Sequence, residues 1–96
     1  MYFAVIYHDK LDSSALRAGI RPSHLAYLTP YLDRIVFAGP LLADDGETSI
    51  GGLAVIEYAG LAATTAFAHA DPYTVGGLLC SVEVRPWRKV FPASHA

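Results

Sequence analysis

The centre of the chain has the sequence IVFAGPLLADDGETSIGGLAVIEY, residues 35–58, which has the pattern of a β-hairpin. Its two apolar arms, Ile35–Leu42 and Gly52–Tyr58, are rich in the β-branched and aromatic residues that favour strands. The connection between them, Ala43–Gly46, contains Asp-Gly, a pair that readily adopts the positive φ of a hairpin loop. We therefore predict two antiparallel neighbouring strands. Because proline cannot donate to a sheet ladder, Gly39-Pro40 predicts that the first strand lies at an edge or contains a β-bulge.

The N-terminal third predicts a buried strand followed by a divided helical region. Residues 2–8, YFAVIYH, are apolar on both faces, as in a central strand. A helical region follows over residues 13–34, with a serine cap at its start. Since the residue before a proline disfavours the helical conformation, we expect Gly19 and Pro22 to split this region. We expect Pro30 to kink the second piece or end it early.

The C-terminal half predicts a second helix, a further helical turn and a last strand. The segment Leu61–Ala70 has helical periodicity, and its predicted apolar stripe consists of Ala63, Ala66, Phe67 and Ala70. Asp71-Pro72-Tyr73 predicts a new helical turn, because Asp is a preferred N-cap and Pro a preferred first helical residue, and Gly76-Gly77 ends it. The segment Leu78–Arg85 alternates apolar and polar side chains, as an edge strand does.

The predicted elements follow the order β-α-β-β-α-β, which is that of a ferredoxin-like α+β fold. Right-handed crossovers put both helices on one face of a four-stranded antiparallel sheet, with the first and third strands central. The 96 residues form one domain, 1–96, without an internal repeat. Only 17% of the residues are charged, and two helices cover only one face of the sheet. We therefore expect a second copy to cover the other face in a homodimer.

The composition argues against several classes of partner and cofactor. The net charge of −2 gives no general attraction to nucleic acid, and the opening apolar run Tyr2–Tyr7 is too short to span a membrane. The single cysteine, Cys80, excludes an internal disulfide, and no histidine spacing matches a zinc site, so we predict no metal and no cofactor. We expect Cys80 to be a small core residue on the apolar face of the last strand. Without the basic leader of a signal peptide, a cytoplasmic protein is expected.

Two titratable side chains lie close to predicted helix starts. His24 follows Pro22, and Asp71 precedes the second predicted proline start, so the two could meet as a hydrogen-bonded proton-transfer pair. Each also has a simpler explanation. His24 has Tyr27 and Leu28 on its helix face and could be a packed core histidine. Asp71 could act only as an N-cap.

Two arginines lie one helical turn apart just before His24. Arg17 and Arg21 could bind the carboxylate of an anionic substrate, because a guanidinium suits bidentate recognition of that group. The alternative is that they form surface ion pairs with Asp9 or Asp12.

The order of the motifs resembles that of the YCII-related (YciI-like) family over nearly the whole chain. The motifs are Asp9-Lys10 after the opening strand, RPSHLAYL at 21–28, AGPL at 38–41, DDG at 44–46, DPY at 71–73 and VRPW at 84–87. The resemblance implies a dimeric α+β barrel of ferredoxin-like protomers, similar in architecture to muconolactone isomerases. It also implies an active-site pair that falls on His24 and Asp71. One branch of the family includes a dehydrochlorinase that acts on a chlorinated hydroxyquinol.

Together, the residues and the resemblance predict a cofactor-independent enzyme for a small cyclic or aromatic compound. His24 would be the general acid or base, and Asp71 would orient it and stabilise its protonated form. Arg21, Tyr27 and Tyr73 are the predicted substrate-binding residues, the tyrosines as candidates to stabilise an oxyanion. The alternative is a non-catalytic ligand-binding or accessory dimeric domain that uses the same pocket.

Overall fold

The computed structural model describes residues 1–92, which form four strands and three helices. In chain order these are β1 (Tyr2–Asp9), α1 (Ser14–Leu28), β2 (Ile35–Leu42), β3 (Ser49–Glu57), α2 (Leu61–Ala70), α3 (Pro72–Val75) and β4 (Leu79–Trp87). A short 3₁₀ turn, Thr29–Tyr31, follows α1. The last four residues of the predicted 1–96 domain lie outside the described part.

The four strands form one antiparallel sheet in the order β2-β3-β1-β4, so the predicted ferredoxin-like α+β fold is confirmed. β1 and β3 are central, as predicted, and β2 is an edge strand. The Gly39-Pro40 pair lies within β2, and two irregularities interrupt the register between β2 and β3. The edge position explains how β2 tolerates a proline that cannot donate a ladder hydrogen bond.

The hydrophobic core lies between one face of the sheet and the helices. Phe3, Val5 and Tyr7 alternate along β1 and point to that face, where they pack with Phe67 and Ala68 of α2. Burial of each large apolar side chain stabilises the fold by about 1.5–3 kcal/mol. α2 packs on β1 and β4, while α1 packs against α3.

The first helix is longer than predicted. The expectation that Gly19 and Pro22 split it, and that His24 lies near a helix start, is wrong: α1 is continuous, with Pro22 inside it. An interior proline leaves the carbonyl four residues earlier without its helical donor. Here both Pro22 and Ala18 are exposed, so solvent can reach that carbonyl, and the proline does not break the helix. The helix ends before Pro30, as predicted.

Two further predictions about packing are wrong. The buried residues of α2 are Thr64, Phe67 and Ala68, whereas the predicted Ala63, Ala66 and Ala70 are exposed. Thr64 fits in the core because its hydroxyl donates to the Gly60 carbonyl at 2.8 Å, which satisfies its polar atom locally. Cys80 is exposed, because a register shift between β1 and β4 at its position takes it out of the alternating pattern.

The predicted turn joins β2 to β3, and β3 begins at Ser49, before the predicted Gly52. Gly46 has a φ of 72°, the left-handed conformation for which glycine is preferred. The Asp45 carboxylate accepts hydrogen bonds from the Thr48 hydroxyl and from the backbone N–H groups of Glu47 and Thr48, which lower the pKa of Asp45 to about 2.

Candidate active site

His24 and Asp71 are in direct contact, although 47 residues separate them in the sequence. The Nδ1 atom of His24 lies 2.8 Å from Oδ1 and 2.9 Å from Oδ2 of Asp71. His24 projects from the C-terminal half of α1, and Asp71 is the residue between α2 and α3. The packing of α1 against α3 brings the two side chains together.

The Asp71 carboxylate is fully buried and accepts hydrogen bonds from three groups. Oδ1 accepts from the backbone N–H of Tyr73 at 2.8 Å, which is the N-cap interaction of α3. Oδ2 accepts from the Tyr7 hydroxyl at 3.1 Å, and the His24 ring is the third partner. A buried carboxylate is tolerated only when its oxygens are hydrogen-bonded, and these contacts meet that requirement. The capping of α3 and the contact with the imidazole are therefore compatible functions of one side chain.

Tyr7 is a residue of this site that the sequence analysis did not identify. Burial, and then the nearby Asp71 charge, raise the pKa of Tyr7 well above its ordinary value of 10.0, so its hydroxyl remains a donor. Its ring lies against β3, where a Cβ at Gly52 would approach Tyr7 Cδ2 to 3.3 Å. In the sequence, Tyr7 looks like any other inward-facing strand residue. Its packing against Gly52 becomes visible only when the two residues are seen to pair across the sheet.

The His24 ring is held between aromatic side chains. The Tyr73 ring stacks on it with centroids 3.9 Å apart and an interplanar angle of 15°, and the Tyr7 ring stands edge-on at 6.5 Å. An ionised carboxylate only accepts hydrogen bonds, so Asp71 favours the His24 tautomer with the proton on Nδ1. The opposite ring nitrogen, Nε2, is then an acceptor, and it has no protein hydrogen-bond partner within residues 1–92.

A cavity of about 270 Å³ lies beside His24, between α1 and the β2–β3 half of the sheet. One end is polar and is lined by Tyr7, Arg17, Arg21, His24 and Tyr73. The remaining walls are apolar, with Leu25 and Leu28 on the helix side and Ala38, Gly52 and Ala54 on the sheet side. An engineered apolar cavity of about 150 Å³ binds benzene, so this volume suits a single ring with several substituents.

The two arginines of the cavity have different surroundings. Arg17 donates to Asp9 Oδ2 at 2.7 Å, so the predicted ion pair with Asp9 forms, but it is largely buried and not on the surface. Arg21 lines the cavity and has no ion-pair partner among the described residues. Its positive charge is therefore available to a ligand.

The two predicted substrate-binding tyrosines lie in different places. Tyr73 lines the cavity, and burial raises its pKa, an effect that Arg17 and Arg21 oppose. Tyr27 is not among the residues that line the cavity. Its hydroxyl donates to the Phe67 carbonyl at 3.0 Å and its ring stacks on that of Phe67. The structure thus brings His24, Asp71, Arg21 and Tyr73 together and leaves Tyr27 on the α2 side of α1.

Neither a metal cluster nor a membrane span is found in the described part of the chain. Residues 1–92 contain no group of three or more His, Cys, Asp or Glu side chains placed to hold a metal ion. Within the same range, every helix is too short or too polar to cross a bilayer.

Comparison with known sequences gives one family and several relatives. The profile of the YCII-related domain matches residues 1–88. Protein YciI of Escherichia coli O6:H1 is 40% identical over 98 residues, which cover 95% of this chain and 100% of that protein. A Haemophilus influenzae protein is 31% identical over 98 residues, which also cover 95% of this chain and 100% of that protein.

Comparison with solved structures gives a similar fold in two enzymes. The 5-chloro-2-hydroxyhydroquinone dehydrochlorinase TftG from Burkholderia phenoliruptrix AC1100, solved in complex with 2,5-dihydroxybenzoquinone, has a TM-score of 0.83 and 27% identity, covering 92% of this chain and 94% of that one. SnoaB, a cofactor-independent oxygenase from Streptomyces nogalater, has a TM-score of 0.56 and 15% identity over 96% of both chains, a likeness of fold alone.

Proposed function

This chain belongs to the YCII-related family, and from that premise we propose that it is a small-molecule enzyme in which His24 and Asp71 transfer protons on a cyclic or aromatic compound. One observation carries the proposal: Asp71 holds Nδ1 of His24, which leaves Nε2 unpaired in a ring that borders a ligand-sized cavity. No cofactor is needed for such a transfer.

The reaction begins with His24 as a general base. Nε2 takes a proton from an O–H or an acidic C–H bond of the substrate, and the imidazolium that forms lies 2.8 Å from the Asp71 carboxylate. That contact stabilises the new positive charge and keeps the ring in one orientation. His24 then returns the proton to the substrate or to the leaving group. A positioned acid–base group of this kind accelerates a reaction by about 10²–10⁴-fold.

Arg21 is proposed to bind the negative charge of the substrate. A phenolate, enolate or carboxylate placed at the polar end of the cavity would accept from its guanidinium, and charge that develops during proton removal would be stabilised there. Tyr73 forms the neighbouring wall. Tyr27 is not included in this mechanism, because its hydroxyl already donates to Phe67.

TftG supports a substrate of this class. Its named substrate is a chlorinated hydroxyhydroquinone, a single substituted ring, and the ligand solved with it is a dihydroxybenzoquinone. A molecule of that size matches the cavity of about 270 Å³ beside His24. We propose a similar ring compound for this chain. His24 and Asp71 could serve equally in an isomerase- or hydrolase-like reaction on a small lactone, so small lactones are included in the substrate panel below.

We also propose that the enzyme is a cytoplasmic homodimer in which the helix-free face of the sheet meets the same face of a second copy. This face presents the rings of Tyr2, Phe37 and Trp87, with Phe37 and Trp87 centroids 6.3 Å apart, and Phe37 is 48% exposed. A second copy would remove such rings from water.

Size-exclusion chromatography with light scattering tests the dimer: the wild type should give twice the chain mass, and Phe37→Glu should give the mass of the monomer. A monomeric wild-type protein at micromolar concentration would contradict the dimer.

The catalytic proposal is tested with His24→Gln and Asp71→Asn against a panel of 5-chloro-2-hydroxyhydroquinone, halogenated phenols and small lactones. Chloride release and absorbance report turnover. We expect kcat/KM of each variant to fall by about 10²–10⁴-fold, because the base is lost or misoriented. His69→Gln is the matched control, since His69 is exposed on α2 away from the cavity.

Full activity in both variants, with wild-type circular dichroism, would overturn the catalytic proposal. If the wild type instead binds 2,5-dihydroxybenzoquinone saturably and turns over no compound of the panel, the alternative of a ligand-binding or accessory domain is favoured.

A further inference from the structure

Arg17 is bound by a carboxylate that lies almost entirely out of solvent. Asp9, the last residue of β1, has a side chain only 3% exposed, and its Oδ2 accepts from Arg17 at 2.7 Å. The Arg17 side chain is itself only 13% exposed. The other oxygen, Oδ1, is buried and has no hydrogen-bond partner among residues 1–92. Within these residues, Arg17 is therefore the only hydrogen-bond donor to the Asp9 carboxylate.

The Arg17 guanidinium lies over the Tyr73 ring, with Cζ 4.8 Å from the ring centroid. The His24 ring stacks on the same tyrosine at 3.9 Å. Arg17 and His24 are seven residues apart on α1, a rise of about 10 Å along the helix axis. The nearly parallel His24 ring occupies one face of Tyr73, so the guanidinium that lies over the same ring contacts the other face.

We propose that Asp9 and Arg17 are positioning residues for His24: Asp9 fixes the guanidinium, and the guanidinium presses the Tyr73 ring against the imidazole. The imidazole is then restrained in two directions. Asp71 holds its edge through Nδ1, and the Tyr73 ring holds its face. Together these contacts direct Nε2. The proposal rests on the proposed role of His24 as the base. It gives the two arginines different roles: Arg17 orients the base, and Arg21 binds the ligand.

Stability alone gives little reason for the Asp9–Arg17 pair. Taking two charges out of water costs free energy that their attraction often only balances, so a buried ion pair is weak evidence of stabilisation. Here one carboxylate oxygen is also left without a donor. What the pair supplies is geometry, because a guanidinium anchored at one edge can present a fixed planar face to an aromatic ring.

The test follows the two ring C–H resonances of His24 in protein labelled with ¹³C-histidine and free of ligand. The Tyr73 ring shields these protons, so Tyr73→Leu should shift them strongly downfield. Arg17→Met and Asp9→Asn should shift them in the same direction by smaller amounts, because Tyr73 loses its support. Arg34→Met is the matched control, since Arg34 lies over the Tyr58 ring at 5.8 Å, a similar contact without His24. It should leave the His24 resonances unchanged.

The double variant Asp9→Asn with Arg17→Met separates positioning from stability. Each single variant leaves one buried charge unpaired, whereas the double variant leaves none. The urea midpoint of the double variant should therefore be closer to that of the wild type than the midpoints of the single variants are. Its His24 resonances should stay displaced. On any panel compound that the wild type turns over, its kcat should be about 10–100-fold lower, a larger change than that in KM, as expected for a misaligned base.

Two outcomes would overturn the positioning role. One is a folded Arg17→Met protein whose His24 resonances coincide with those of the wild type. The other is a double variant in which the urea midpoint and the His24 resonances recover together, which would make the pair purely structural. Both readouts need no turnover, so they decide this inference even if the protein proves not to be an enzyme.

Discussion

The two long helices cover the same face of the sheet but make different use of it. α2 buries Thr64, Phe67 and Ala68 against the sheet, whereas α1 has no fully buried residue. The small residues of α2 allow close approach. α1 carries long side chains on the side that faces the sheet, and the cavity of about 270 Å³ lies beneath it. One helix builds the core, and the other, held off the sheet, builds the candidate site.

Phe67→Ala should give the largest change in stability, because it removes the main apolar side chain that α2 contributes. Phe67 is 7% exposed, and its ring contacts those of Tyr27, Tyr31 and Tyr58. Its truncation is expected to lower the free energy of unfolding by about 3–5 kcal/mol. Urea denaturation followed by circular dichroism measures this loss. A loss below about 1 kcal/mol would mean that α2 does not dominate the core as the comparison requires.

Tyr7→Phe should give a smaller loss of stability, and it tests the buried hydrogen bond that joins β1 to Asp71, the carboxylate that His24 of α1 also contacts. The variant removes a hydrogen bond to the charged Asp71 carboxylate, which is worth about 1.5–3 kcal/mol. Tyr27→Phe is the control, because that hydroxyl donates only to a neutral backbone carbonyl and its loss should cost about 1 kcal/mol.

The pH dependence of the same variant has a definite sign. Because the folded-state pKa of Tyr7 is raised above 10.0, its contribution to stability is complete below that pH. As the pH rises further, the unfolded chain ionises first, and the contribution is lost. The free energy of unfolding, measured in urea at about pH 8 and about pH 11, should fall more between these two pH values for the wild type than for Tyr7→Phe. Equal slopes would show that burial of the Tyr7 hydroxyl does not raise its pKa.

Leu25→Ala should give the smallest change in stability and is the counterpart of Phe67→Ala on the other helix. Leu25 is 44% exposed and borders the cavity, so its truncation is expected to cost only about 1 kcal/mol. Its main effect should be on a ligand, since it removes an apolar wall. Isothermal titration with 2,5-dihydroxybenzoquinone should show weaker binding. A stability loss as large as that of Phe67→Ala would abolish the contrast between the helices.

The elements of the fold could be predicted because each depends on neighbours in sequence. The Asp-Gly turn, the apolar arms around it, the apolar run of β1 and the alternation in β4 are local patterns. Together with the right-handedness of crossovers they predicted the strand order. The errors arose where tertiary context outweighs local preference. Pro22 lies inside α1 because its carbonyl partner is exposed to solvent, and Thr64 is buried because its hydroxyl bonds to its own helix.

The candidate site could be predicted only in part. His24 and Asp71 were identifiable as titratable residues close to prolines, although the proline two residues before His24 does not begin a helix. Tyr7 gave no such signal, since its hydroxyl reaches Asp71 from a strand position that otherwise belongs to the core. Asp9 was identified only as an alternative partner for the arginines.

The sequence by itself determined the order of strands and helices and the residue types available for proton transfer, because backbone preferences and hydrophobic periodicity act over a few residues. Only the tertiary structure decided that His24 meets Asp71 across 47 residues, that Tyr73 lies between Arg17 and His24, and that α1 stands away from the sheet. These features depend on how α1 and α3 pack, and no local pattern encodes the distance between two side chains that far apart in the chain.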